Sequence, residues 1–77
     1  MDGIVYKDFI IETAPELHAG KWSTNVWIRV HRDKGPSGRS FKTRDTFPTR
    51  EDAVTHCFLF GMDIVDGKVE GCSVEGL

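Results

Sequence analysis

Three histidines and two cysteines are the residues of this 77-residue chain best suited to hold a metal or act as a nucleophile. His18, His31 and His56 fall in a loop, a strand and a helix by the reading below, and none stands at metal-ligand spacing from a cysteine. His56 and Cys57 are neighbours in that helix, where successive side chains diverge by about 100° and do not face one another. Ser23 and Ser40 read as strand surface, with no histidine and carboxylate placed to activate them. Gly35-Pro36-Ser37-Gly38-Arg39 is glycine-rich and basic, but lacks the strand–loop–helix context and the Lys-Ser/Thr ending of a phosphate loop. The sequence therefore predicts no enzyme, no metal and no cofactor. What remains is binding chemistry. Ile10, Trp27, Arg29, His31, Lys42 and Arg44 place an aliphatic and an aromatic residue among cations, and they form the candidate interaction face.

The elements that must position those residues follow from periodicity. Residues 4–13 are rich in β-branched and aromatic types and read as one strand. Ala14-Pro15 to Gly20 reads as a loop. In residues 22–32, Trp22, Thr24, Val26, Ile28 and Val30 alternate with Asn25, Trp27, Arg29 and His31, the period of a half-buried strand. Asp33 to Gly38 is a hairpin connection, and residues 39–47 form a third strand in which Phe41, Thr43, Asp45 and Phe47 alternate with polar positions. A helix from Arg50 to Asp66 follows, with Thr49 as N-cap, Glu51 and Asp52 at the positive end of its dipole, and Gly67 as the left-handed residue that ends it. Its apolar stripe is Ala53, Val54, Cys57, Phe58, Gly61, Ile64 and Val65. Gly61 costs about 1 kcal/mol against Ala in mid-helix, which predicts a close approach of helix to sheet, beneath a tryptophan. Asp63 and Asp66 at the negative end either bridge to strand bases or stand exposed.

The fold expected is α+β: a three-stranded antiparallel meander with one C-terminal helix packed on one face (βββα), in a single domain with core about 4–67. The covered face should hold Phe9, Ile11, Trp22, Val26, Ile28, Val30 and Phe41, and the tail from 68 to 77 should pack loosely or fray.

Composition bounds the remainder. At 39% apolar and 29% charged the chain is globular, and its size leaves little room for an enclosed cleft. The longest apolar run, Cys57 to Phe60, is far short of the roughly 20 residues that span a bilayer, and no signal peptide is visible at Met1-Asp2-Gly3. Two cysteines, without a disulfide framework, predict free thiols and a cytoplasmic location, with Cys57 as a small buried hydrophobe. Charge is unevenly placed: residues 1–20 carry net −3, residues 21–50 net +6 and residues 51–77 net −5.

Two resemblances follow from motifs. Tyr6 to Phe9, the tryptophan-bearing strand Trp22 to Val30, Phe47-Pro48-Thr49-Arg50-Glu51-Asp52-Ala53 and Asp66-Gly67-Lys68 resemble a group of small uncharacterised bacterial proteins over nearly the whole chain. Gly20-Lys21-Trp22 and the Phe47–Ala53 run are similar to the three-strand–helix DNA-binding domains of plant ethylene-response factors and the N-terminal domain of phage-type integrases. That second resemblance implies a sheet lying in the major groove, with Trp27, Arg29, Lys42 and Arg44 at the contact positions. Those domains are usually basic, whereas this chain carries net −2. The expectation is thus a non-catalytic protein-interaction or self-association module, its partner a protein or a second copy, with no membrane; the alternative is nucleic-acid binding through the basic sheet face.

Overall fold

The computed structural model describes residues 2–31 and 38–75. The elements are β1 (Asp2–Tyr6), β2 (Phe9–Thr13), β3 (Leu17–His18), β4 (Lys21–Val30), β5 (Arg39–Phe47) and α1 (Arg50–Val65). All pairings are antiparallel. β2 and β3 both pair with β4, β1 pairs with β2, and β5 pairs with the other side of β4. The chain is α+β, with one antiparallel sheet and one helix among the described residues, but that sheet has five described strands and not three.

The difference lies in the first twenty residues. The single strand expected over 4–13 is a hairpin, with Tyr6 opposite Phe9 and a two-residue turn at Lys7-Asp8. Lys7 takes φ 55°, a left-handed conformation that ordinary side chains disfavour. The turn therefore carries no glycine, asparagine or proline to announce it. The loop expected over 14–20 contains β3 and a second two-residue turn, Ala19-Gly20, in which both residues have positive φ. That conformation matches the twist of the strands it joins. β5 has the limits expected from its alternation, with a register shift that places Ser23 opposite Thr46 and Thr24 opposite Thr43. Arg44 and Asp45 fall inside the shift as a bulge. There the buried hydroxyl of Thr24 donates to the Asp45 carbonyl at 3.0 Å. The Asp33–Gly38 connection lies outside the described residues except for Gly38, as does Leu77.

α1 starts and stops by local rules. Thr49 accepts a hydrogen bond from the Asp52 amide at 3.2 Å, and Glu51 and Asp52 occupy the first turn. At the other end Asp66 is the C-cap, and Gly67 has φ 75°. The Gly67 amide donates to the Ile64 carbonyl at 3.1 Å and the Lys68 amide to the Asp63 carbonyl at 2.9 Å, the paired bonds of a Schellman motif. No helix among the described residues is long and apolar enough to cross a membrane.

Ile11, Val26 and Ile28 from the sheet and Ile64 from the helix form the buried cluster, beside buried Ala53 and Cys57. Burying each of these large aliphatic side chains contributes about 1.5–3 kcal/mol. Phe9, Phe41, Phe58 and Val65 pack around it. Gly61 is the point of closest approach, since a Cβ there would sit 2.5 Å from Ile11 Cγ2 and 3.4 Å from Val26 Cγ2. The close approach expected at Gly61 is present, but beneath Ile11 and not beneath a tryptophan. Trp22, expected in the core, is half-buried opposite Phe47 at the end of β4. In the described part of the segment after the helix, Val69, Cys72 and Val74 pack on the core, and Arg39 Nη1 donates to the carbonyls of Ser73 (2.7 Å) and Glu75 (3.0 Å).

Candidate interaction face

Cross-strand partners share a face, and neighbours along a strand alternate. Ile11 is opposite both Ile4 and Ile28, and Val26 is opposite Phe41, which fixes the core side. Val5 opposite Ile10, Ile10 opposite Arg29, Glu12 opposite Trp27, Trp27 opposite Ser40 and Asn25 opposite Lys42 fix the other side. Four of the six expected interaction residues, Ile10, Trp27, Arg29 and Lys42, therefore share this second face. His31 is exposed beyond the end of β4, where its backbone amide donates to the Asp8 carbonyl at 2.9 Å. Arg44 is exposed in the β5 bulge, outside the paired register.

Three features of this face were not read from the sequence. Glu12 is on it, and Arg29 Nε donates to Glu12 Oε1 at 2.8 Å, so an acid is placed against one of its bases. Trp27 is half-buried, its indole so close to Gly38 that a Cβ there would collide with the ring. Val5 is 58% exposed and stands directly opposite Ile10. A depression of about 300 Å³, bounded by Gly3, Val5, Ile10, Glu12 and Arg29, lies between these side chains. The period-two pattern carried the signal for Glu12, which follows Ile10 at the next position on the same side. Val5 could be found only by knowing of the turn at Lys7.

The other charged groups are tied to structure. Tyr6 donates to Asp66 Oδ2 at 2.8 Å, and Lys7 is ion-paired to Asp66 Oδ1. The Lys7 ammonium, together with the Tyr6 hydroxyl, holds the Asp66 carboxyl below the usual carboxylate range, while the same carboxylate pushes Lys7 and Tyr6 upward. Of the two acids at the helix end, Asp66 thus bridges to a base, Lys7, in the turn between β1 and β2. His56 is wedged beside Phe47, ring centroids 4.9 Å apart, and its buried Nε2 lies 3.3 Å from Asp45 Oδ2 without the geometry of a hydrogen bond. Cys57 and Cys72 are both free thiols. Cys57 is fully buried, its Sγ donating to the Asn25 carbonyl at 3.3 Å, and burial pushes its thiol upward, away from the reactive thiolate. Among the described residues, no group of three or more His, Cys, Asp or Glu side chains converges on a metal position. No protein family, curated protein or solved structure matches this chain.

Proposed function

We propose that this chain is a non-catalytic self-association module, in which α1 covers one sheet face and the second, open face meets a second copy. The observation that carries this reading is the pair Val5–Ile10, with Val5 58% exposed on a face that also holds Arg29 bonded to Glu12. An apolar centre beside an Arg29–Glu12 pair already closed within the chain suits its own copy, because that pair leaves no net charge to repel a second one. A surface for nucleic acid needs unopposed cations, and Glu12 engages one of the strand bases. With Trp27 resting on Gly38, the weight of the contact falls on Val5 and Ile10.

The reading is tested by sedimentation velocity from micromolar to near-millimolar protein. A concentration-dependent dimer that Ile10→Lys dissociates is expected; a monomer throughout refutes it. In a parallel NMR titration, a mixed DNA duplex at about 50 mM salt should leave the spectrum unchanged. Shifts confined to Trp27, Arg29 and Lys42 and reversed by added salt would replace self-association with nucleic-acid binding.

A further inference from the structure

We propose that two copies of this chain join edge to edge through β1, antiparallel and about a twofold axis at Ile4, so that one sheet runs through both. The proposal rests on the self-association reading and moves the contact from the open face as a whole to its β1 border, where Val5 stands. Among the described strands, β1, β5 and the two-residue β3 each pair on one side only, and β3 is too short to template an added strand. β5 carries the features that discourage strand addition: Arg39, Lys42, Arg44 and Asp45 along it, and a bulge. Between its ends β1 reads Gly3-Ile4-Val5, with no charge, no proline and no register shift.

Depressions also flank β1 on both faces of the sheet. On the open face is the 300 Å³ hollow beside Val5 and Ile10. On the helix side a hollow of about 440 Å³ runs between β1 and the first turns of α1, lined by Gly3, Ile4, Val54 and Phe58 and rimmed by Arg50 and Glu51. An added strand sends alternate side chains to opposite faces, and here each finds an unfilled space.

The register identifies the added strand as a second β1. Pairing about Ile4 sets Ile4 against its own copy on the helix side, above the groove of Val54 and Phe58. On the open face it sets Gly3 against Val5 of the second copy. Gly3 has no positive φ, and a Cβ there would press on Glu12 Cγ at 3.3 Å, which the flexible Glu12 side chain relieves by a small shift, and touch the Ile11 carbonyl at 3.6 Å. A glycine inside a strand commonly marks close approach of another chain. Here it leaves the space that an exposed valine two residues away would fill. A stable interface takes roughly 800 Å² from each partner, about a sixth of the 5082 Å² surface. Backbone pairing alone falls short of that, so the geometry requires side chains of the second copy to enter the two flanking hollows.

The experiment compares the intact protein with Val5→Lys, Gly3→Val and Trp27→Ala by sedimentation, with amide hydrogen exchange read on β1 at low and high concentration. Val5 is exposed and Gly3 faces only a flexible side chain, so both variants keep the monomer fold. Expected is a dimer whose outward β1 amides gain protection with concentration, weakened at least about tenfold by Val5→Lys and by Gly3→Val and unchanged by Trp27→Ala. A dimer with unprotected β1 amides that Trp27→Ala dissociates overturns the edge geometry and leaves face-to-face association standing. A monomer at every concentration overturns both.

Discussion

Ala19 is one of two described non-glycine residues, with Lys7, that hold a positive φ, and replacing it tests the turn geometry. The Ala19-Gly20 turn closes His18 onto Lys21, with φ 50° at Ala19 and 78° at Gly20. For an alanine the left-handed conformation costs roughly 1–2 kcal/mol, whereas asparagine bonds locally there and pairs with a following glycine in two-residue hairpins. Ala19 is exposed, so its methyl group contributes no packing. Ala19→Asn should therefore stabilise the fold by about 1 kcal/mol, which in a domain of this size raises Tm by roughly 4–8 °C. Gly20→Ala should lower stability by a similar amount, and nothing lies within 4 Å of its added Cβ, so the loss is purely one of backbone conformation. The assay is urea and thermal denaturation followed by circular dichroism at one fixed protein concentration, because association shifts the midpoint. The urea slope should be unchanged while the midpoint moves. If Ala19→Asn leaves the midpoint where it was or lowers it, the turn does not hold positive φ at this position and the reasoning fails.

Gly61→Ala sets helix propensity against space: about 1 kcal/mol is gained in the helix, but a Cβ 2.5 Å from Ile11 Cγ2 forces the core apart, so a net loss of about 1–3 kcal/mol is expected in urea denaturation. Asp66 is held below its ordinary carboxylate range by Lys7 and Tyr6, so its contribution is complete above about pH 4 and is lost as pH falls through that value toward the lower folded one. Asp66→Asn should accordingly flatten the acid limb of a stability–pH curve, and an unchanged limb would contradict the assignment. A thiol reagent at neutral pH should label Cys72 in the native protein and reach fully buried Cys57 only on unfolding; equal rates would place Cys57 nearer the surface than it is here. Ile11→Ala should cost about 2–5 kcal/mol, since Ile11 is fully buried against Gly61 and Ile28.

The helix and the two long strands were legible because their signals are local. Thr49, the acidic first turn and Gly67 fix the ends of α1 within one residue, and the alternation of Trp22 to Val30 assigns both sides of β4. The first strand failed for a reason of parity. Read as one strand, residues 4–13 put Val5 on the side of Phe9 and Ile11. With two turn residues at Lys7-Asp8 the chain reverses, Val5 faces Ile10, and Ile4 and Tyr6 join the core side. The turn is invisible because Lys7 adopts a conformation its residue type disfavours, with the Asp66 ion pair fastening its side chain from 59 residues away. The candidate face was legible for the same residues that alternate in β4 and β2. Its charge balance was not, because a basic stretch in sequence says nothing of the acid a neighbouring strand brings alongside. Arg44 shows the remaining limit: a bulge removes it from the register that alternation alone assigns.

The segment around the end of α1 has two fastenings of unlike electrical character. Lys7 and Asp66 are an ion pair with the lysine side chain 59% exposed, so added salt weakens it. Arg39 instead holds the tail by donating to the backbone carbonyls of Ser73 and Glu75, neutral acceptors whose short-range bonds a salt atmosphere screens far less. Raising ionic strength therefore weakens the Lys7 tie at the β1–β2 turn, leaving the Tyr6 hydroxyl on Asp66 and the tail on β5, so the two sides of this corner respond unequally to salt.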